Sequence, residues 1–149
     1  IQKKLTLSSA ESCTGGELAR LITSVSRSSK YFLGGIIPYD YHQKISILGV
    51  SEKTISEKTV VSAEVAQEMS LGGQKLFKTD ISIATTGVSG PNSDEFNNEI
   101  GTVFYSIRVK NFEKTNRLFL PHLERNDFAN FVSQRVLQDL IEMIIQEEH

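Results

Sequence analysis

Short apolar runs alternate with stretches of helical spacing along the 149 residues. Leu5 and Leu7 begin a short buried strand over residues 5–9, which runs directly into a polar corner containing two glycines. Leu18, Leu21, Ile22 and Val25 then recur at helical spacing, which predicts a helix over 16–25 that starts at the glycines. Residues 32–39 (FLGGIIPY) are strand-like, but Gly34, Gly35 and Pro38 interrupt them, which suits an edge strand or a bend facing a site. A short helix is expected over 42–48. Ser62 is placed as the N-cap of a longer helix through Lys75, with Glu64 in its first turn and Val65, Ala66, Met69 and Leu76 facing inward. Residues 81–86 read as a strand and 87–98 as a polar loop. Residues 101–109 and 117–120 read as paired strands joined by a turn near 110–114. The last helix, from about 127 to 146, carries Phe128, Phe131, Val132, Leu140, Ile141, Ile144 and Ile145 on one stripe.

This order predicts an α/β protein. The first strands are parallel through helical crossovers, and the last pair is a hairpin. No repeat, low-complexity tract or interdomain linker divides residues 1–149, so one domain is expected, long enough to bury a core.

Composition narrows the function classes. An apolar fraction of 39% and a charged fraction of 23% are those of an ordinary globular chain. The 16 Lys and Arg against 18 Asp and Glu leave a net charge of −2, with no basic footprint for nucleic acid or an anionic membrane. The densest acidic patch, Glu147 and Glu148, is a terminal fringe. No apolar stretch approaches the roughly 20 residues of a membrane span, and no signal-peptide pattern opens the chain. The single Cys13 has no internal disulfide partner, so a reducing cytoplasm is the expected compartment. Position 1 is Ile rather than Met, which reads as a chain without its native start.

The candidate chemistry lies at three polar corners. "AESCTGG", residues 10–16, ends the first strand in an acid, two potential nucleophiles (Ser12 and Cys13), Thr14 and a glycine pair. A strand that turns there into a helix presents N–H groups suited to an anion or a developing oxyanion. A structural turn capped by Ser12 or Thr14 is the alternative. The stretch is neither a phosphate loop, since no Lys follows the glycines, nor a GxSxG elbow, since Ser12 precedes both glycines. Tyr39, Asp40, Tyr41, His42 and Lys44 form a second cluster, in which a desolvated Lys44 could serve Ser12 as base. "TTGVSGP", residues 85–91, is the third. His42, His122 and His149 are far apart in sequence and form no metal-spaced cluster.

Together, "AESCTGG", "GGIIPYDYHQKISILGV", "VSAEVAQEMSLGG", "ATTGVSGP" and "GTVFYSI" resemble, in order and spacing, the CinA C-terminal domain family of nicotinamide mononucleotide amidohydrolases, or deamidases. The resemblance implies a three-layer α/β/α sandwich with a mixed, mostly parallel sheet, and a missing N-terminal helix. It implies hydrolysis of the nicotinamide carboxamide to nicotinic acid mononucleotide and ammonia, within pyridine nucleotide salvage, with no metal or other cofactor. It also implies a homo-oligomer, dimer or higher, with a small-molecule mononucleotide as partner. The family's nucleophilic serine falls on Ser12, its tyrosine on Tyr39 and its lysine on Lys44, which implies Lys44 as base with Tyr39 relaying or orienting the proton. Its hydroxyl residue at the third corner falls on Thr86, and its arginine near the last helix on Arg125. Thr14, Gly15 and Gly16 would offer amides to the oxyanion or the phosphate, and Arg125 a cationic fork to an anion.

Four stretches depart from the family pattern. Tyr39-Asp40-Tyr41 stands for the usual Tyr-Ser-Asn, and Ser89 for an alanine. Residues 92–98 are Asn-rich without the customary glycines and proline, and "HLER" replaces the usual Gly-Asp-Arg-like lead to Arg125. Asp40 near Lys44 is expected to hold that lysine protonated, which would favour a non-catalytic nucleotide-binding domain. A thiol hydrolase using Cys13 is the third reading, against Cys13 as a small packing residue behind the corner.

Overall fold

The computed structural model describes Ile1 and residues 3–146. Glu147, Glu148 and His149, read above as an acidic fringe and a lone histidine, lie outside the described residues. Five strands, β1 (Leu7–Ala10), β2 (Phe32–Ile36), β3 (Ile81–Gly87), β4 (Thr102–Val109) and β5 (Phe112–Phe119), form one sheet in the order β2-β1-β3-β4-β5. The helices are α1 (Glu17–Thr23), α2 (Tyr41–Leu48), α3 (Glu52–Lys58), α4 (Ala63–Phe77) and α5 (Arg125–Gln146). β1 pairs in parallel with β2 and β3, while β3–β4 and β4–β5 are antiparallel, so β4 alone runs against the other four. The fold is the mixed α/β sheet that the alternation predicts, with β2 at an edge as its glycines require.

Helices cover both faces, which is why β1 is buried at every position instead of alternating. On one face Leu7, Ile83 and Ile107 pack against Leu18 and Ile22 of α1 and Phe128, Val132, Val136 and Leu140 of α5. That spacing of four corrects the expected α5 stripe. Phe131, Ile141 and Ile145 are exposed because helical rotation carries them off the line, and Val136 takes part instead. On the other face Ala10 and Ala84 meet Val65 and Met69 of α4 and Leu48 of α2. Small residues let α4 lie close: a Cβ on Gly72 would sit 2.0 Å from the Leu48 carbonyl oxygen, and one on Gly73 2.8 Å from Ser82 Oγ. Leu76, expected inward, is exposed beyond this contact.

The termini of the elements follow local chemistry. Ser62 caps α4, its Oγ accepting from Val65 N at 3.2 Å. β5 begins at Phe112 rather than at 117, because the hairpin turns on Lys110, whose φ of 54° closes it within two residues. α3 was not legible in the pattern: its seven residues carry one buried apolar side chain, Ile55, and are announced only by their cap, Ser51. Among the described residues, no helix is long and apolar enough to cross a membrane.

Candidate active site

β1, β2 and β3 point their carboxyl ends to one side of the sheet, where open α/β folds hold ligands. Ser12 follows β1, Pro38 and Tyr39 follow β2, and residues 85–90 close β3. Asp40 starts α2 by accepting a hydrogen bond from His42 N at 2.7 Å, and α2 carries Lys44 back toward Ser12. A cleft of about 380 Å³ opens between these corners and is lined by Ser12, Cys13, Tyr39, Lys44, Thr86 and Arg125, among others.

Lys44 is 1% exposed, and its Nζ has three neighbours: Ser12 Oγ at 2.9 Å, Pro38 O at 2.9 Å and Tyr39 O at 3.1 Å. Two carbonyls can only accept. A neutral amine has two protons to give them and one lone pair left, directed at the Ser12 hydroxyl. Burial brings the lysine down to about 8 from its ordinary 10.5, outweighing the opposing pull of the Asp40 carboxylate. Asp40 raises the lysine, as expected, but burial outweighs it, so the amine titrates near 8 and a minority of it is neutral at neutral pH. The Asp40 carboxylate is exposed and committed to the His42 backbone N–H and ring, which hold it below the usual carboxylate range.

The other residues singled out in the sequence divide between two recesses. Cys13 is partly buried against the core, and burial pushes its thiol up to about 12, so it stays protonated and un-nucleophilic at neutral pH. Tyr39 is 60% exposed, and its Oη accepts from Arg125 Nη1 at 3.1 Å; only its backbone carbonyl touches Lys44. Arg125, the first residue of α5, also donates through Nη2 to Gly90 O at 2.7 Å. Thr86 lines the cleft while its hydroxyl donates to Val60 O at 2.8 Å. Thr14, Gly15 and Gly16 line a neighbouring polar recess of about 630 Å³, which Tyr39 and Arg125 also border.

Glu11 is the residue whose role the sequence did not disclose. It is buried, and its carboxylate accepts from Thr14 Oγ1, Gly16 N, Leu18 N and Ala19 N at 2.7, 3.2, 2.8 and 3.1 Å. The start of α1 attracts an anion, as expected, but the anion is the chain's own. Neither Ser12 nor Thr14 caps that helix, and Gly15 N bonds to Ser12 O at 3.0 Å. The available signal was an acid placed just before a glycine-led helix start.

Comparison with known proteins places the chain among relatives. A CinA-like protein of Flavobacterium psychrophilum is 44% identical over 146 residues, which are 98% of this chain and 34% of that protein. One from Leptospira borgpetersenii is 40% identical over 134 residues, 89% and 32% of the two lengths. The chain thus spans about a third of the curated relatives it matches. The crystal structure of the competence damage-inducible protein A from Klebsiella pneumoniae superposes with a TM-score of 0.92 at 27% identity, covering 97% of this chain and 89% of that one. A competence/damage inducible protein from Agrobacterium tumefaciens gives 0.89 at 26% identity, over 95% and 86%. The model of the CinA C-terminal domain matches residues 1–144, and the chain belongs to that family.

Proposed function

We propose that this domain hydrolyses the carboxamide of nicotinamide mononucleotide, giving nicotinic acid mononucleotide and ammonia. The observation that carries the reading is the 2.9 Å contact between Lys44 Nζ and Ser12 Oγ at the edge of an open cleft. Ser12 Oγ attacks the amide carbon as the neutral Lys44 amine takes its proton. The resulting ammonium returns that proton to the departing nitrogen, the C–N bond breaks, and ammonia leaves an acyl-serine. Water, deprotonated by the same amine, cleaves the ester and releases the carboxylic acid. Arg125, charged and facing the cleft, takes the phosphate. Tyr39 holds Arg125 through its hydroxyl and Lys44 through its carbonyl, and so links the two ends of the substrate. The ground for a non-catalytic reading was Asp40; burial outweighs its pull and brings Lys44 down to about 8, which supplies a fraction of neutral amine near neutral pH. The cytoplasmic setting, which rests on the single Cys13, and the homo-oligomer, which rests on the family likeness, belong to the same proposal.

The test is ammonia release from nicotinamide mononucleotide. Ser12→Ala is expected to lose at least about a thousandfold in kcat with the fold intact, and Cys13→Ala to keep most activity. No ammonia from the unmodified protein, or near-normal turnover by Ser12→Ala, overturns the reading. A dead Cys13→Ala would hand the reaction to the thiol.

A further inference from the structure

We propose that Glu11, Thr14 and Thr85 form a one-way hydrogen-bond chain that positions the Ser12 nucleophile, an inference that rests on the serine reading above. A hydroxyl has one proton to give. Glu11 Oε1 already accepts from Gly16 N and Leu18 N, so it receives the Thr14 proton as well, at 2.7 Å. Thr14 Oγ1 and Thr85 Oγ1 are 3.0 Å apart, and with the Thr14 proton committed to Glu11 the donor between them is Thr85. Thr85 Oγ1 is then left as an acceptor, and Ser12 N–H donates to it at 3.2 Å. The direction runs from Ser12 through Thr85 and Thr14 to Glu11, since a Thr14 proton turned toward Thr85 would leave its oxygen facing Glu11 Oε1 at 2.7 Å with no proton between them.

All three side chains are buried, and they come from two different corners. Glu11 and Thr14 flank Ser12, while Thr85 stands at the end of β3, one residue beyond the Ala10–Ala84 pairing. Ser12 is therefore fixed at two points: its backbone N–H by this chain, and its Oγ by Lys44 at 2.9 Å. Loss of the first leaves Oγ free to drift from the line of attack while Lys44 and Arg125 keep their places. None of the three touches the reacting atoms, so they are positioning residues.

Thr85→Val removes the hydroxyl at nearly constant shape, and Thr85→Ser retains it. Two readouts are taken on each variant alongside thermal melting. The first is kcat and KM for ammonia release across pH. The second is the rate at which a fluorophosphonate labels Ser12, with Ser12→Ala as blank; there Ser12 Oγ displaces fluoride and Lys44 takes the proton. Thr85→Val is expected to lower kcat and the labelling rate together, about ten- to a hundredfold. Its KM should stay within about twofold, and the pH midpoint set by Lys44 should not move. Thr85→Ser should restore most of the loss. The proposal is overturned if Thr85→Val keeps both rates, if Thr85→Ser is as slow as Thr85→Val, or if the midpoint moves with the rate. An unmodified protein that is labelled at Ser12 yet releases no ammonia sinks the substrate and leaves the positioning chain to be judged by labelling alone. A protein inert in both assays removes both.

Discussion

At the scale of single residues, Lys44 decides how the site responds to pH. In the proposed mechanism its neutral amine accepts the Ser12 proton, and burial sets its titration near 8. Activity is therefore expected to rise with pH through about 8 and to level off above it, measured as kcat/KM for ammonia release. Asp40→Asn should move that midpoint slightly downward, because the carboxylate raises the lysine against the larger effect of burial. The same burial acts on stability, with the opposite beneficiary. A lysine whose folded value is depressed binds fewer protons when folded, so stability rises with pH between about 8 and 10.5. The gain at stake is about 3 kcal/mol at most. Lys44→Met should abolish turnover and flatten that part of the stability–pH curve, read by thermal melting. A slope unchanged in the variant would assign the effect to another group.

At the scale of elements, the consequential contact is between α4 and α2. Gly72 lies against the Leu48 carbonyl so closely that a methyl group cannot be inserted without separating the two helices. Gly72→Ala is thus expected to cost about 1–3 kcal/mol through overpacking in a urea melt, although alanine is the better helix former. Because α2 carries Lys44, activity should fall with it. Ser62→Ala, which removes only the α4 cap, should cost about 1 kcal/mol and leave activity alone. Equal loss of activity in both would break the link between helix contact and site. Element types were largely readable, since β1, β3 and α4 carry their buried residues at the right spacing. What the spacing could not reveal was which of several apolar positions face in. Phe131 and Val136 look equally eligible in α5, and only the angle at which the helix crosses the sheet chooses between them.

At the scale of the whole molecule, the site is the meeting of three strand ends, and the sequence marked all three by their hydroxyls and glycines. It brought Ser12 and Lys44 together correctly. It did not show that Tyr39 Oη reaches Arg125 across 86 residues, because such a contact is created by the fold and leaves no local trace. Nor did it show that Glu11 answers the α1 amides, which narrows where a phosphate can be held. With Gly15 and Gly16 committed inside the chain, the proposed function leaves discrimination between nicotinamide mononucleotide and its riboside chiefly to Arg125. Two charge-assisted bonds of roughly 1.5–3 kcal/mol each make the expected preference for the nucleotide about a hundredfold or more in kcat/KM. Arg125→Ala should erase most of it, and equal cleavage of both compounds by the unmodified protein would show that no such grip exists. The exposure of Arg125 adds a dependence on ionic strength. A phosphate held at a buried helix start would be sheltered from dissolved ions, whereas one held by a solvent-facing guanidinium is not. Screening over about 10 Å at 0.1 M salt should raise KM for the nucleotide as salt is added, and leave the riboside indifferent.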